Sequence, residues 1–466
     1  MTPATTFSGK SVALFGLGGS GLVTAKALKA GGANVTVWDD AESSREKARA
    51  AGLHVEDLAL ADWRGFSSFI LSPGVPLTHP KPHWSVDKAK AAGVEIIGDI
   101  EIFCRERAAL APDAPFIAIT GTNGKSTTTA LTAHILKSAG RDTQMGGNIG
   151  VAILALDPPA PNRVHVIEIS TFQIDLTPSL KPGIGVLLNL TPDHIDRHGT
   201  FENYAALKER LIANADIAFV SVDDEPCYEI GKRNNARTFN DPERANCPVS
   251  AIHALDWGIY VEDNLILSRR PGEDSAQVLG NLAGIATLRG AHNAQNAAFA
   301  AAACDALGIT PDEIQRGLET FPGLAHRMEQ VGRIGKVLFI NDSKATNADA
   351  AEKALLTFDH IHWILGGKSK EGGIEPLKSL FSKVSKAYLI GASTEDFAKS
   401  LDGHVPYERC GTLDVATRRA AQDAAETGAP AVVLLSPACA SYDQFANFEV
   451  RGEAFRTLVK SLEASA

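Results

Sequence analysis

Short apolar runs alternate with longer segments of helical periodicity along most of the chain. Runs such as Val12–Phe15, Phe116–Ile119 and Val164–Ile169 are continuous rather than alternating, which is typical of strands buried on both faces of a parallel sheet. Similar strands are predicted at residues 34–38, 69–71, 95–98, 185–190, 337–341, 361–365, 387–390 and 432–435. The pattern predicts an α/β fold built on mostly parallel sheets.

The chain length predicts three domains, because 466 residues correspond to about three units of roughly 150. We expect a Rossmann-like N-terminal domain at 1–106, a central P-loop-type ATPase domain with a mostly parallel sheet at 107–321, and a Rossmann-like C-terminal domain at 322–466. The Pro- and Ala-containing segment Arg105–Pro115 is the expected first linker.

Composition narrows the class of protein. The net charge is −10, whereas a nucleic-acid binder would more often carry a basic face, so no nucleic-acid partner is expected. The six cysteines form no C-x-x-C pair, which favours reduced thiols over disulfides or zinc. No apolar run approaches the ~18–20 residues of a membrane span. With no signal-peptide pattern at the start, we expect a soluble, cytoplasmic protein.

The segment 116–129, FIAITGTNGKSTTT, has the order strand, glycine turn, hydroxyl-rich helix start. Gly121 and Gly124 would let the backbone approach a polyphosphate, Lys125 would reach its terminal phosphates, and Ser126 or Thr127 would hold Mg²⁺. The spacing G-x-x-G-K-S-T has two residues fewer between its glycines than the usual phosphate loop. A glycine turn that merely caps a helix is the alternative.

A second glycine-rich turn follows the first predicted strand. Residues 16–21 match G-x-G-x-x-G, and Asp39 follows about 20 positions later, as in dinucleotide-binding folds. Ligands of open parallel sheets bind beyond the carboxyl ends of the strands, so this turn, Asp39 and Ser72 are expected at one edge. By itself the match indicates a nucleotide or phosphate site, or an empty Rossmann-like fold.

Polar residues follow the strands of the central domain. An unpaired carboxylate is costly at Glu168, inside an apolar strand, so a metal ligand is preferred there to a buried salt bridge. His194 lies among Asp and His residues that could bind a second metal, orient a phosphate or cap a helix. By pattern alone, Lys208 is a surface lysine. Asn293 and Asn296 are helix caps, although such amides could also contact a purine edge.

These motifs together resemble the Mur ligase family of peptidoglycan synthesis over essentially the whole chain, and within it the D-glutamate-adding members. They are GLGGSG, LSPGVP, EIIGDIE, GTNGKST, GGNIG, EISTFQ, LNLTPDHIDRH, YAALK, GAHNAQN, FPGLAHRME, INDSKATN, GGKSKEGG and LLSPACASYDQFANFEVRG. DSKATN is the most discriminating of them.

The resemblance implies ATP-dependent amide formation. The carboxylate of UDP-N-acetylmuramoyl-L-alanine would attack the γ-phosphate of ATP, and the amine of D-glutamate would then displace phosphate from the acyl phosphate. It also implies two Mg²⁺ ions, a carbamylated lysine and a monomeric enzyme.

The resemblance carries roles to individual residues. The implied catalytic residues are Lys125, His194, Lys208 and Lys344. The ATP site would comprise Gly121, Thr122, Asn123, Gly124, Lys125, Ser126, Thr127, Asn293, Asn296, Arg327 and Asp342. The metal ligands would be Ser126, Thr127 and Glu168 for one Mg²⁺, and His194 and the carbamate of Lys208 for the other. The UDP-sugar side would comprise Gly18, Gly19, Ser20, Asp39, Asp40, Ser72 and Asn148. The D-glutamate pocket would comprise Thr346, Lys370, Ser441 and Phe448.

The chain departs from the family pattern at three positions. Ala41 stands where an arginine is usual, Lys368 where an acid is usual, and Tyr442 where leucine is usual. Three alternatives remain: a related ligase for another amino acid such as L-glutamate, an NAD-dependent oxidoreductase, and a non-catalytic nucleotide-binding regulator. The oxidoreductase leaves GTNGKST and Glu168 unexplained.

Overall fold

The computed structural model describes residues 1–238, 246–369 and 372–464, whose strands form three sheets. The chain divides into two compact units. The first unit, Met1–Ala283 with Ala294–Thr320, holds two sheets, and the second, Gly284–Asn293 with Phe321–Ala466, holds the third. The mixed α/β fold of three sheets confirms the predicted class, while the exact domain boundaries stay a prediction. Among the described helices, none is both long enough and apolar enough to cross a bilayer.

The first sheet is parallel throughout. Its strands are β1 (Ser11–Phe15), β2 (Asn34–Trp38), β3 (His54–Val55), β4 (Ser68–Leu71) and β5 (Glu95–Ile97), and its helices are α1 (Gly19–Ala30), α2 (Glu42–Ala50), α3 (Trp84–Ala91) and α4 (Asp99–Leu110). The strand order is β3-β2-β1-β4-β5. Phe15 pairs with both Trp38 and Leu71, so the turns after β1, β2 and β4 begin at one edge.

The predicted linker Arg105–Pro115 is wrong in its first half, because α4 continues to Leu110. Phe103 on this helix is fully buried, with its ring 5.5 Å from that of Phe116 at the start of the second sheet. Glu106 is also buried and accepts hydrogen bonds from the N-terminal residues 5 and 6. Helix α4 therefore joins the first two sheets through a shared core.

The second sheet has nine strands. They are β6 (Phe116–Thr120), β7 (Thr143–Gly147), β8 (Val164–Glu168), β9 (Ile184–Leu187), β10 (Ile217–Ser221), β11 (Asn246–Ser250), β12 (Gly258–Glu262), β13 (Leu265–Arg269) and β14 (Gln277–Asn281). The associated helices are α5 (Lys125–Ser138), α6 (Thr171–Asp175), α7 (Ile195–His198), α8 (Phe201–Ala213), α9 (Glu225–Thr238), α10 (Ala291–Asp305) and α11 (Pro311–Thr320). The order is β14-β13-β12-β11-β10-β9-β6-β8-β7. Strand β13 pairs antiparallel with β12 and β14, and the other pairs of described strands in this sheet are parallel. Strand β6 lies between β8 and β9, so the polar residues that follow all three meet at one edge.

The third sheet has six strands. They are β15 (Glu329–Ile334), β16 (Val337–Asn341), β17 (Ile361–Gly366), β18 (Val384–Ile390), β19 (Tyr407–Gly411) and β20 (Ala431–Leu435), with helices α12 (Ala348–Thr357), α13 (Thr394–Leu401), α14 (Leu413–Glu426) and α15 (Phe448–Glu463). The order is β15-β16-β20-β17-β18-β19, and only the edge strand β15 is antiparallel. Apolar clusters cover both faces of this sheet.

Candidate active site

A tight loop of residues 121–124 joins β6 to α5. Gly121 has φ 154° and Gly124 has φ 82°, a backbone region that favours glycine. A Cβ atom on Gly124 would lie 2.3 Å from Asn296 Oδ1, and one on Gly121 would lie 2.9 Å from Leu188 Cβ. The loop is thus packed tightly on both sides where it enters a helix of 14 residues, whose N-terminus favours anions.

Asn189, just beyond β9, holds the centre of this loop. Its Oδ1 accepts a hydrogen bond from Asn123 N at 2.8 Å, and its Nδ2 donates to Asn123 O at 3.2 Å. The same Nδ2 donates to Gln295 Oε1 at 3.1 Å. The hydroxyl of Thr122 lies 2.9 Å from that of Tyr204. The backbone of the loop is therefore fixed by α8, α10 and the end of β9.

Two lysines converge on the carbonyl oxygen of Gly121. Lys125 Nζ donates to Gly121 O and to Thr122 O, each at 2.8 Å. Lys208 Nζ, from α8, donates to Gly121 O at 2.8 Å and to Thr120 Oγ1 at 3.1 Å. Lys208 is only 2% exposed, so the surface position that the helix pattern alone predicts for it is wrong.

Burial lowers the pKa of Lys208 well below its ordinary value, and the charge of Lys125 lowers it further. The carboxylates of Asp193 and Glu168 act in the opposite direction, so they lie near enough for their charge to matter. A lysine amine that is neutral keeps its lone pair, and this is the form that adds carbon dioxide. The environment of Lys208 is therefore suited to a carbamate.

Glu168 ends β8 and is 2% exposed. Its Oε1 accepts a hydrogen bond from Asn148 Nδ2 at 2.8 Å, but its Oε2 is buried with no partner among the described residues. Its neighbours in the sheet are Gly147 and Ile119, and Ile119 lies two residues before the loop of residues 121–124. A buried carboxylate oxygen that lacks a donor is suited to a cation, so these residues fit the predicted Mg²⁺.

His194 lies at the start of α7 in a left-handed conformation, with φ 52°. Its side chain is 51% exposed, with Nε2 3.5 Å from Asp193 Oδ2, and its ring packs against Phe172. The neighbouring His198 is buried, which lowers its pKa to about 4, and it contacts the Thr171 hydroxyl at 2.8 Å. Within the described residues there is no group of three or more His, Cys, Asp or Glu arranged to hold a metal.

The first sheet brings its predicted ligand residues to one edge. Asp39 is engaged by the backbone, since its carboxylate accepts from Leu17 N at 2.6 Å and from Ala41 N at 2.8 Å. Asp40 is 73% exposed. A Cβ atom on Gly18 or Gly19 would meet nothing within 4 Å, so the turn is open on that side. Ser20 and Ser72 line a small cleft beside it.

In the second unit, the end of β16 presents Asp342, Ser343 and Lys344. Asp342 is 7% exposed, accepts from Ser436 Oγ at 2.8 Å and from Met328 N at 3.2 Å, and has its pKa raised to about 7 by burial. Lys344 Nζ lies 4.0 Å from the centre of the Phe448 ring. The predicted phosphate-side and amino-acid-side residues of this unit thus adjoin at one strand end.

The predicted adenine-side residues Asn293 and Asn296 lie in different units. Asn296 accepts from Thr128 Oγ1 at 3.2 Å in the first unit, whereas Asn293 belongs to the second unit and donates to Arg289 O at 2.9 Å. Ser441, in the second unit, is 2% exposed. Lys370 lies outside the described residues.

Sequence reasoning gave no role to Gln295 or to Arg451, a buried arginine of α15. The available signals were their places within the GAHNAQN and FEVRG motifs.

Comparisons with known proteins show the family of this chain. Residues 119–304 match the family description "Mur ligase middle domain", and residues 326–439 match "Mur ligase, glutamate ligase domain". The UDP-N-acetylmuramoylalanine–D-glutamate ligase of Mesorhizobium japonicum is 58% identical over 467 residues, covering 99% of this chain and 98% of the relative. The enzyme of that name from Brucella abortus is 56% identical, with 99% and 98% covered.

Solved structures share the fold at lower identity. The UDP-N-acetylmuramate-alanine ligase of Thermotoga maritima has a TM-score of 0.57 at 17% identity and covers 98% of this chain and 100% of its own. A MurF ligase from the same organism, solved with ADP, has a TM-score of 0.56 at 18% identity, with 86% and 90% covered. At these identities the likeness shows the fold alone.

Proposed function

The chain belongs to the Mur ligase family, and we infer that it is the ATP-dependent ligase that adds D-glutamate to UDP-N-acetylmuramoyl-L-alanine in peptidoglycan precursor synthesis. The single observation that carries this function is the convergence of Lys125 and buried Lys208 on the phosphate loop, beside Glu168, in a chain matched over its whole length by such ligases.

The chemistry requires activation of a carboxylate. An amine cannot displace oxygen from a carboxylate, so the L-alanyl carboxylate oxygen first attacks the γ-phosphorus of ATP and releases ADP. The amine of D-glutamate then attacks the carbonyl carbon of the acyl phosphate, loses a proton, and phosphate leaves with the shared oxygen. Phosphoryl transfer of this kind depends mainly on positioning and on neutralising charge.

Lys125 neutralises the terminal phosphates in this proposal. Its ammonium group contacts the carbonyls of Gly121 and Thr122, at the N-terminal end of α5. A polyphosphate on this loop would accept hydrogen bonds from the helix N-terminus and from this ammonium group together. The two hydrogen bonds between Asn189 and Asn123 fix the backbone of the loop, so little reorganisation would accompany phosphate binding.

The residues that would hold Mg²⁺ are the hydroxyls of Ser126 and Thr127 with Glu168 at one position, and His194 with carbamylated Lys208 at the other. Mg²⁺ bound there would neutralise phosphate charge and polarise the γ-phosphoryl group. The Oε2 of Glu168, which has no hydrogen-bond partner in the described part of the chain, supports the first position. The buried, pKa-lowered amine of Lys208 supports the second, since carbamylation would convert it into an anionic oxygen ligand.

The second unit carries the residues proposed for the amino acid and further phosphate contacts. Lys344 and Arg327 would contact phosphate, and Asp342 would order the strand end that carries Lys344. Thr346, Lys370, Ser441 and Phe448 would bind D-glutamate, while Asn293 and Asn296 would lie on the adenine side. The open turn at Gly18 and Gly19, with Ser20, Asp40, Ser72 and Asn148, would take the UDP-sugar, and Asp39 would shape that turn through its backbone contacts.

We propose the cytoplasm as the place of the reaction, because its substrates are nucleotide-linked, and a monomer as the active form. The test of function is phosphate release from ATP and Mg²⁺ with UDP-N-acetylmuramoyl-L-alanine and either D- or L-glutamate. We expect release with D-glutamate only. Equal release with L-glutamate would favour the related ligase, and release with neither would refute the proposed acceptor.

A further inference from the structure

Arg451 is an almost fully buried arginine, 1% exposed, in the first part of α15. Its Nε donates to Ser343 Oγ at 2.9 Å, and its Nη2 donates to Ser343 O at 2.8 Å and to Cys439 O at 3.1 Å. One guanidinium group therefore joins the residue before Lys344 to the segment that leads into Ser441.

The charge of Arg451 is unusual for a residue that only links two segments. Each of its hydrogen-bond acceptors is a neutral oxygen. The charges of Asp443 and Asp342 act on the guanidinium group, but within the described residues neither carboxylate forms an ion pair with it. Its Nη1 is buried with no partner within the described part of the chain. Burial lowers the pKa of Arg451 to about 10, so it stays charged at neutral pH. Burying a charge without a direct ion pair among the described residues is costly, and a neutral amide could make similar links.

The start of α15 is packed so closely on β16 that Arg451 has little freedom to move. A Cβ atom on Gly452 would lie 2.2 Å from His326 Nδ1, and Gly452 O accepts from Asn341 Nδ2 at 3.0 Å. Phe448 O accepts from Ser343 Oγ at 2.9 Å, and the Phe448 ring lies under Lys344 Nζ. The helix therefore holds the strand end that presents Lys344.

The other segment held by Arg451 is anchored independently. Ala440 exchanges two backbone hydrogen bonds with Lys368, at 2.9 and 3.0 Å. Asp443 Oδ2 accepts from Ala392 N at 2.9 Å. Between these anchors lies Ser441. Arg451 ties the residue before Ala440 to the end of β16, and Ser436 makes a second link there through Asp342.

We propose that Arg451 is a positioning residue for the amino-acid substrate. Its guanidinium group sets the separation between the segment bearing Lys344 and Thr346 and the segment bearing Ser441, and it adds positive charge behind a pocket for a dicarboxylate. The inference rests on the proposed function and deepens it, since it names the group that holds the two sides of the glutamate pocket in register.

The test compares variants of the full-length enzyme by steady-state phosphate release. Arg451→Lys keeps the positive charge but loses the planar guanidinium group with its several N–H donors. Arg451→Met keeps a similar volume but loses both the charge and the donors. Ser343→Ala removes one hydrogen-bond acceptor of Arg451. Arg409→Met is the matched control, because it loses an exposed ion pair with Glu395 and a contact with the Tyr407 ring, both in the same unit and neither with Ser343 or Cys439. Thermal unfolding of each variant reports whether it is folded.

We expect Arg451→Met to raise the KM for D-glutamate by at least about tenfold, the effect of losing hydrogen bonds to a charged group. The KM for UDP-N-acetylmuramoyl-L-alanine should change less than about twofold, since the residues that bind it belong to the first unit. Arg451→Lys and Ser343→Ala should fall between Arg451→Met and wild type, and Arg409→Met should behave as wild type.

Wild-type glutamate kinetics in folded Arg451→Lys and Arg451→Met would overturn the inference and leave the proposed function intact. An equal change in the KM of all three substrates, or a loss of folded enzyme with unchanged KM values in what remains, would also overturn it, because either indicates a structural role only. No D-glutamate-dependent phosphate release from the wild-type enzyme would refute the proposed function, and the inference with it.

Discussion

Replacing Gly124 by alanine tests whether the loop before α5 must keep its observed shape. The glycine has φ 82°, where an L-residue costs roughly 1–2 kcal/mol. The added Cβ would also lie 2.3 Å from Asn296 Oδ1, whereas ordinary contacts begin near 3.4 Å. Either the loop or Asn296 must therefore move by about 1 Å.

The displacement matters more for catalysis than for folding. A misplacement of about 1 Å at a catalytic site can cost about 10²-fold in rate. We expect Gly124→Ala to lower kcat/KM for ATP by about that factor, while its free energy of unfolding falls by about 1–2 kcal/mol from the backbone strain.

Gly140, after the other end of α5, provides a matched control. It has φ 77°, but a Cβ atom there would meet nothing within 4 Å. Gly140→Ala should therefore lower the free energy of unfolding in urea by a similar amount. Its rate of phosphate release should equal that of the wild type. Unchanged kcat/KM for ATP in Gly124→Ala, or equal losses of activity in both variants, would refute the loop assignment.

Three further predictions concern ionisable groups. Lys208→Ala should lower kcat by at least about 10²-fold, and added formate or acetate should restore part of the phosphate release if a carbamate is the active form. Glu168→Gln should raise the Mg²⁺ concentration that gives half-maximal rate, and a Mg²⁺ titration with unchanged midpoint would contradict its role as ligand. Burial raises the pKa of Asp342 to about 7, so the folded protein holds this proton more tightly than the unfolded chain. Wild type should therefore lose stability relative to Asp342→Asn as pH rises from about 4 to about 7, and parallel urea midpoints across that range would contradict this.

Much of the fold could be predicted because its signals are local. The apolar run 116–119, the glycine turn and the hydroxyl-rich helix start are adjacent in sequence, and each indicates its own element. The predicted linker failed because burial of Phe103 and Glu106 extends α4, and their contacts with His165 and Thr5 are with residues far away in the chain.

Less of the candidate site could be predicted from the sequence, because its geometry depends on contacts between segments that are distant in the chain. Nothing in YAALK indicates that Lys208 is buried against Gly121, which is 87 residues away. Arg451 is polar and lies on a helix, so its burial against Ser343, 108 residues away, could not be inferred from periodicity. Asp39 was singled out as a ligand contact, but the hydrogen bond that it accepts from Leu17 N depends on the turn after β1.

The most direct test of the account follows one oxygen atom. UDP-N-acetylmuramoyl-L-alanine carrying ¹⁸O in its alanyl carboxylate is incubated with the enzyme, ATP, Mg²⁺ and D-glutamate, and the released phosphate is analysed by mass spectrometry. Activation through an acyl phosphate predicts that one carboxylate oxygen appears in each phosphate formed. Phosphate without ¹⁸O, released in step with amide product, would contradict phosphoryl transfer to the carboxylate at this site.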